Sequence, residues 1–121
     1  MGQPEWDPYN RNCPTRRMLG RIGDRWTVLV VGALSDGPLR YSELHKRVDG
    51  ISQKMLAQTL RGLERDGLVL RTVTPQIPPR VDYELTEAGQ SIQVPLKALE
   101  DWVKEHMASI LEARDIYDGA S

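Results

Sequence analysis

The clearest periodic pattern in the chain lies between residues 52 and 66. Leu56, Leu60 and Leu63 recur at spacings of four and three residues, so they share one side of a helix. Polar side chains recur on the opposite side at the same period, and they are Lys54, Gln58, Arg61 and Arg65. The pattern predicts a helix over about residues 52–66, with Ser52 as its N-cap. Its leucines pack on a core, and its other side presents cations and an amide to solvent.

Three further helices are predicted before this one. A short helix begins at Pro14, because proline suits the first helical position, and ends at Gly23. A second, central and nearly all buried helix follows from the helical spacing of Trp26, Leu29, Val30, Ala33 and Leu34. The third covers about residues 41–48, with Ser42 as its N-cap. A turn at Asp49-Gly50 joins it to the helix of residues 52–66, here called the leucine helix.

A hairpin and a long helix follow the leucine helix. Alternation of apolar and polar residues predicts strands over residues 69–74 and 81–85, joined by a loop that holds three prolines. Thr86 is placed to cap a helix over about residues 87–114, and Pro95 inside it predicts a kink.

The order of these elements is that of a winged helix-turn-helix. The predicted fold is mainly α with a small β-hairpin, the wing, at about residues 69–85. One domain spans residues 13–114, between an N-terminal arm of residues 1–12 and a C-terminal tail of residues 115–121. In this fold the second helix of the pair enters the DNA major groove. The sequence therefore predicts a regulator of transcription that binds double-stranded DNA.

The last helix carries an apolar stripe that one small domain cannot cover. The stripe and its flank supply a predicted homodimer interface, formed by Leu96, Leu99, Trp102, Val103 and Ile110. The N-terminal and C-terminal helices are therefore expected to dimerise the protein.

Charge is divided unevenly along the chain, although the net charge is only −1. Residues 11–25 hold five arginines against one aspartate, and residues 39–80 hold eight basic against four acidic residues. Residues 81–121 hold three basic and nine acidic residues. A polyanion responds to the local field, because salt screens charges beyond about 8 Å. The basic segment coincides with the helix-turn-helix, and the acidic segment should face away from DNA.

Several classes of protein are disfavoured by the sequence. No apolar run approaches the roughly 20 residues of a membrane span, and the N-terminus lacks the apolar stretch of a signal peptide, so a cytoplasmic protein without membrane contact is expected. One cysteine rules out an internal disulfide framework and a cysteine-rich zinc site. No catalytic series, phosphate-binding glycine loop or metal-spaced ligand set is present. We expect no enzyme activity, no metal and no cofactor.

The residues expected to contact DNA lie on three elements. They are the leucine helix of residues 52–66, which would be the recognition helix, the helix of residues 41–48 before it, and the wing. The first turn of the recognition helix holds Ser52, Gln53 and Lys54, and its partial positive charge favours a phosphate. Gln58 suits a base edge, and Arg61 suits a guanine or a phosphate. The competing interpretation is a solvated helix face that contacts nothing.

Two other DNA contacts are predicted outside that helix. Arg80 follows Pro78-Pro79 and is interpreted either as a minor-groove or phosphate contact or as a solvent-exposed hairpin arginine. Tyr41 is interpreted either as a phosphate contact or as a half-buried packing residue.

Cys13 is a candidate reactive thiol. It precedes Pro14 at a helix start, with Arg11, Arg16 and Arg17 nearby, and such surroundings stabilise the thiolate. The alternative is a small buried structural cysteine.

Taken together, several segments resemble the HxlR family of bacterial winged-helix regulators. They are Cys13-Pro14, Ile22-Gly23-Asp24-Arg25-Trp26-Thr27, the run from Asp36 to Leu44, Gly50-Ile51-Ser52, Leu60-Arg61 with Leu63-Glu64, the run from Asp66 to Val69, the run from Pro78 to Val81 with Tyr83, and Leu85-Thr86 with Gly89. The match covers about residues 13–103 in unbroken order.

The resemblance implies a homodimer that binds pseudo-palindromic DNA near promoters, more often as a repressor than as an activator. Several members use the cysteine near the N-terminus to sense oxidants or electrophiles, so the resemblance makes Cys13 a candidate sensor. Members that join two different cysteine positions need a second cysteine, which this chain lacks. A reacting Cys13 would have to pair with Cys13 of another subunit, with a small thiol or with an electrophile.

Two alternatives to a thiol-sensing regulator stay open. A winged helix can serve as a protein–protein interaction module, although that role favours an apolar or acidic recognition face. The second alternative is a regulator that responds to a small-molecule effector without thiol chemistry.

Overall fold

The computed structural model describes residues 6–119 and contains five α-helices and a small antiparallel sheet. The helices are α1 (Pro14–Ile22), α2 (Arg25–Ala33), α3 (Tyr41–Arg47), α4 (Gln53–Arg65) and α5 (Glu87–Gly119). The strands are β1 (Leu39–Arg40), β2 (Val69–Thr74) and β3 (Arg80–Leu85), and a turn of 3₁₀ helix at Leu34–Asp36 follows α2. This is the mainly helical winged helix-turn-helix that the sequence predicts.

The wing is part of a three-stranded sheet in the order β1-β3-β2. The hairpin register pairs Val69 with Leu85 and Thr74 with Arg80. Strand β1 pairs Leu39 with Tyr83 on the other side of β3. The sequence prediction missed β1, because two residues are too few to show an alternating pattern.

The core is a single cluster to which α2, α3, α4, α5 and the strands β2 and β3 contribute. Its residues with essentially no exposed surface are Val30, Val31, Leu34, Leu44, Leu56, Leu60 and Leu63. They bring α2 and the helix pair α3–α4 together above the buried ends of the wing strands, where Val69 and Leu85 pair. The prediction that α2 is nearly all buried was too broad, because Leu29 is about half exposed.

Local caps set the helix boundaries. Asp24 accepts hydrogen bonds from the backbone N–H groups of Trp26 and Thr27 and so begins α2. The predicted cap of α3 was wrong: Ser42 lies inside the helix, and the Glu43 carboxylate instead accepts a 2.8 Å hydrogen bond from the backbone N–H of Arg40.

Thr86 joins the recognition helix, the wing and the last helix. Its hydroxyl donates a 2.6 Å hydrogen bond to the carbonyl of Gly67 and accepts one from the N–H of Gly89, as expected of the cap of α5. Gly67 has a φ of 76°, a left-handed conformation that glycine adopts without strain, and it ends α4 as predicted.

The two ends of the chain differ from the predictions. Helix α5 continues through Pro95 to Gly119, so residues 115–119 are helical and not part of a tail. Of the predicted arm, residues 6–12 form turns held to α1 by Arg16, whose guanidinium donates to the carbonyls of Pro8 and Tyr9. Residues 1–5 of the arm and 120–121 of the tail lie outside the described residues.

Candidate nucleic-acid interface

Helix α4 presents its predicted polar face to solvent. Leu56, Leu60 and Leu63 are buried in the core and fix the rotation of the helix. The side chains on the other face are exposed, and they are Gln53, Lys54, Gln58, Arg61 and Arg65. Within residues 6–119, neither Lys54 nor Arg61 lies within ion-pair distance of a carboxylate. The helix therefore offers cations and amide groups that its own subunit does not neutralise.

Ser52 holds the start of the recognition helix. Its hydroxyl oxygen accepts a 3.0 Å hydrogen bond from the backbone N–H of Met55, as an N-cap does. The first turn contains no acidic side chain. The positive end of the helix dipole therefore stays uncompensated at the point where Gln53 and Lys54 are exposed.

Tyr41 braces the same turn from α3. Its phenol donates a 2.8 Å hydrogen bond to the backbone carbonyl of Gln53. Burial and the nearby Tyr83 raise the pKa of Tyr41, whereas the positive charge of Arg61 opposes that rise. Because the one phenolic proton already has a protein acceptor, this geometry favours the packing interpretation of Tyr41 over a phosphate contact.

Arg80 is held along the wing and not projected from it. Its Nε donates to both carboxylate oxygens of Asp82, at 3.3 and 3.0 Å. The two side chains lie two residues apart on one strand and so share a face of the hairpin. A DNA contact by Arg80 would have to break or share this ion pair. The tip of the wing instead holds Ile77, whose side chain is fully exposed at 101%.

A contact between α1 and α4 was not predicted from the sequence. The Nε of Arg21 lies 2.6 Å from a carboxylate oxygen of Asp66, at the end of the recognition helix. The Arg21 guanidinium passes over Gly62 and occupies the space that a Cβ of residue 62 would need. The signal available in the sequence was Gly62 itself, a glycine inside an otherwise strong helical pattern.

Cys13 is the N-cap residue of α1, with Pro14 in the first turn as predicted. Its side chain is only 6% exposed, so the thiol is buried within its own subunit. Arg16, one of the cations expected to favour a thiolate, donates to the carbonyls of Pro8 and Tyr9.

The predicted dimer stripe on α5 divides into a covered and an uncovered part. Leu96 is 6% exposed and belongs to the core of its own subunit, so its assignment to the dimer interface was wrong. Leu99, Trp102 and Val103 are each between 42% and 51% exposed, and Ile110 is partly buried. Trp102 stacks on His106 at 4.2 Å between ring centroids, which stiffens that surface.

A groove of about 510 Å³ lies between α2, the end of α3 and α5. Its apolar floor includes Val28, Val31 and Leu96, and its rim carries charges of both signs, among them Arg47 and Glu100.

Residues 6–119 lack both a cluster of metal-ligating side chains and a membrane-spanning helix. No group of three or more His, Cys, Asp or Glu side chains in this part of the chain is arranged to hold a metal ion. None of the helices in the same range is long and apolar enough to cross a membrane.

Comparison with known proteins identifies close relatives of this architecture. The model of the family described as HxlR-like helix-turn-helix matches residues 21–110. The chain is 39% identical over 111 residues to YtfH of Escherichia coli K12, called an uncharacterized HTH-type transcriptional regulator, and the match covers 92% of this chain and 88% of YtfH.

Two solved structures share the fold over most of their length. A transcriptional regulator ytfH from Salmonella typhimurium superposes with a TM-score of 0.86 at 38% identity, over 90% of this chain and 97% of that one. The redox regulator HypR in its oxidized form superposes with a TM-score of 0.71 at 35% identity, over 77% and 96%.

Proposed function

The chain is a transcriptional regulator of the HxlR-like helix-turn-helix family, and from that premise we propose that it represses transcription as a homodimer bound to pseudo-palindromic promoter DNA. The main support for this proposal is the exposed face of α4. It offers Gln53, Lys54, Gln58 and Arg61 to solvent, on a helix whose rotation is fixed by buried leucines.

The chemistry of that face suits a base edge and a phosphate backbone. A guanidinium such as that of Arg61 pairs with the O6 and N7 atoms of guanine, and an amide such as that of Gln58 pairs with adenine. Lys54, near the positive end of the helix, suits a phosphate. An acidic or apolar face would have favoured a protein partner.

The homodimer is supported by the uncovered part of the α5 stripe. Leu99, Trp102 and Val103 form an apolar patch that a second copy of the helix would bury. Two-fold symmetry then places two recognition helices about 34 Å apart, one turn of duplex, and explains a palindromic site.

Binding to DNA is tested by selecting duplexes from a random pool and titrating the bound sequence at increasing salt. If the dimer neutralises about eight phosphates, log affinity falls against log salt with a slope near −7. A flat salt response would contradict the electrostatic part of the proposal. Failure to bind any duplex at low salt would favour the protein-interaction module instead.

The role of Arg61 is tested by Arg61→Ala, with Arg114→Ala on α5 as the matched control. Loss of a base contact weakens specific binding by about 1–3 kcal/mol and relaxes sequence preference at one position. Loss of a phosphate contact weakens binding to all sequences and lowers the salt slope by about one. Arg114 is exposed on the acidic helix, so its replacement should leave binding unchanged.

We further propose that Cys13 is the group through which oxidants or electrophiles act on this regulator. The likeness to the redox regulator HypR supports this, as does the place of Cys13 at the start of α1, the helix whose Arg21 pairs with Asp66. Because the thiol is buried, alkylation should be slow until the segment around Cys13 opens. An oxidant effect on DNA binding that survives Cys13→Ser would overturn the assignment.

The groove between α2 and α5 supports a second kind of effector, a small molecule that acts without thiol chemistry. Its volume of about 510 Å³ is in the range of ligand pockets, and Arg47 and Glu100 supply polar groups at its rim. A thermal-shift screen on Cys13→Ser protein tests for such a ligand, and Leu29→Trp, which narrows the groove, should abolish any shift found.

A further inference from the structure

The tip of the wing carries an apolar side chain where an electrostatic contact was expected. Ile77 is fully exposed, and it lies in the loop between β2 and β3. Residues 72–79 contain no charged side chain at all. The nearest cation, Arg80, is already paired with Asp82. The wing therefore approaches its partner with an uncharged tip, on which the apolar side chain of Ile77 is fully exposed beside Gln76.

Prolines restrict the loop that holds this side chain. Pro75, Pro78 and Pro79 each fix one backbone dihedral angle, and together they leave few conformations to the five residues of the tip. An ordered loop loses little entropy when it enters a binding site, so an apolar contact made by Ile77 gives more of its energy to affinity.

We propose that Ile77 inserts into the DNA minor groove and makes this regulator prefer A·T pairs beneath its wing. This inference rests on the proposed function, since it takes the bound duplex as given. Apolar side chains, isoleucine among them, are known to enter the minor groove, where they insert between base steps.

The preference for A·T pairs follows from the chemistry of the groove floor. A G·C pair places the N2 amino group of guanine in the minor groove, whereas an A·T pair presents only acceptor atoms. An isoleucine side chain can neither accept a hydrogen bond from that amino group nor leave room for its water. Ile77 therefore excludes G·C pairs at the base steps it covers, and it does so without a hydrogen bond of its own.

The contact is distinct from that of a wing arginine. An arginine in the minor groove adds a cation and steepens the salt dependence of binding. Ile77 adds none, so its contribution to affinity should be independent of salt. The ion pair Arg80–Asp82 at the start of β3, beside the tip, leaves that end of the hairpin close to neutral.

The test uses the full-length protein, a duplex selected for binding, and Ile77→Ala. Because Ile77 is fully exposed, the variant should keep the melting temperature of the wild type. We expect it to bind the selected duplex roughly tenfold more weakly, as expected for loss of a buried apolar side chain, with an unchanged salt slope. Leu70→Ala is the matched control, since Leu70 is a half-exposed apolar residue elsewhere on the same hairpin, and it should bind as the wild type does.

Base analogues then locate the effect in the minor groove. Inosine·C pairs keep the major-groove O6 and N7 acceptors of G·C but lack the minor-groove amino group. We expect the wild type to bind A·T and inosine·C duplexes equally under the wing and G·C duplexes several-fold more weakly, whereas Ile77→Ala no longer discriminates.

Three possible results distinguish failure of the proposed function from failure of the inference about Ile77. If the wild type binds no duplex, the proposed function itself fails. If it binds but Ile77→Ala binds equally well, the wing tip contributes nothing and the present inference is overturned. If Ile77→Ala lowers affinity equally on all three duplexes, the tip lies against the backbone and the preference for A·T is refuted.

Discussion

The phenol of Tyr41 donates a 2.8 Å hydrogen bond to the carbonyl of Gln53, and this contact fixes the first turn of the recognition helix to the helix before it. The two residues are twelve positions apart and belong to the two helices of the helix-turn-helix. The angle between those helices determines how the polar face of α4 meets a duplex. Tyr41, one of the residues predicted to contact DNA, thus braces the turn whose side chains are proposed to make that contact.

Tyr41→Phe removes this hydrogen bond and leaves the ring in place. We expect the free energy of unfolding to fall by about 0.5–1.5 kcal/mol, measured by urea denaturation. Ser42→Ala is the control, because Ser42 is exposed next to Tyr41, and it should change stability by less than about 0.5 kcal/mol. Equal stability of Tyr41→Phe and the wild type would show that the hydrogen bond contributes nothing.

The stability difference between wild type and Tyr41→Phe should depend on pH. The pKa of Tyr41 is raised in the folded protein, chiefly by burial, so folding favours the neutral phenol. That stabilisation is complete below the unfolded pKa of about 10 and is lost as pH rises through the folded value. The stability gap between wild type and Tyr41→Phe should therefore stay constant up to about pH 10 and narrow as the pH rises above that value. A gap that is constant or widens across this range would contradict the assigned cause.

Gly62 and Asp66 should be coupled through Arg21. A methyl group at residue 62 would overlap the guanidinium of Arg21 and move it away from Asp66. Asp66→Asn should then cost up to about 1 kcal/mol in the wild type and close to nothing in the Gly62→Ala background. Additive effects in this double-mutant cycle would mean that Arg21 keeps its ion pair by another path.

Gly89→Ala should destabilise the fold strongly. Here a Cβ would overlap the backbone carbonyl of Leu68, which cannot move aside as a flexible side chain can. We expect a loss of about 2 kcal/mol or more in the free energy of unfolding. The control is Gly20→Ala in α1, where a Cβ meets nothing within 4 Å. It should raise stability by up to about 1 kcal/mol, since alanine is the better helix former. A stable Gly89→Ala protein would refute the close approach of α5 to the wing.

Val103→Glu should dissociate the proposed homodimer. Burying two unpaired carboxylates in the interface is expected to raise the dimer dissociation constant by at least about 100-fold, measured by analytical ultracentrifugation. Val94→Glu is the matched control, because Val94 is exposed and faces roughly away from the stripe on the same helix. If Val103→Glu stays dimeric while Val94→Glu dissociates, the interface lies on the other side of α5.

The sequence predicted the helices well because their signals are local. Pro14, Ser52 and Thr86 each mark a predicted helix start by local chemistry, and the structure begins a helix at all three places. The polar face of α4 was equally accessible, since three leucines with helical spacing determine which side turns inward.

The error on the last helix concerns a contact between elements. The spacing of the α5 stripe could not distinguish Leu96, which the subunit buries itself, from Leu99, which it leaves exposed. The Arg80–Asp82 ion pair was open to prediction, since residues two apart on a strand share a face, but the prolines before Arg80 favoured a projecting side chain. For Leu96 the deciding fact is which neighbour covers it in the folded chain, and periodicity does not give that.

The length of α5 has a consequence for how the protein reaches its native state. Its 33 residues extend for about 50 Å, yet past Leu96 none of its side chains through Gly119 is fully buried by the subunit. Isolated helices with so little tertiary support are only marginally formed in water. The final two thirds of α5 should therefore fray in a dilute monomer and become ordered when the proposed homodimer forms. Helix content measured by circular dichroism should accordingly rise with protein concentration, which makes chain folding and subunit assembly a single coupled equilibrium.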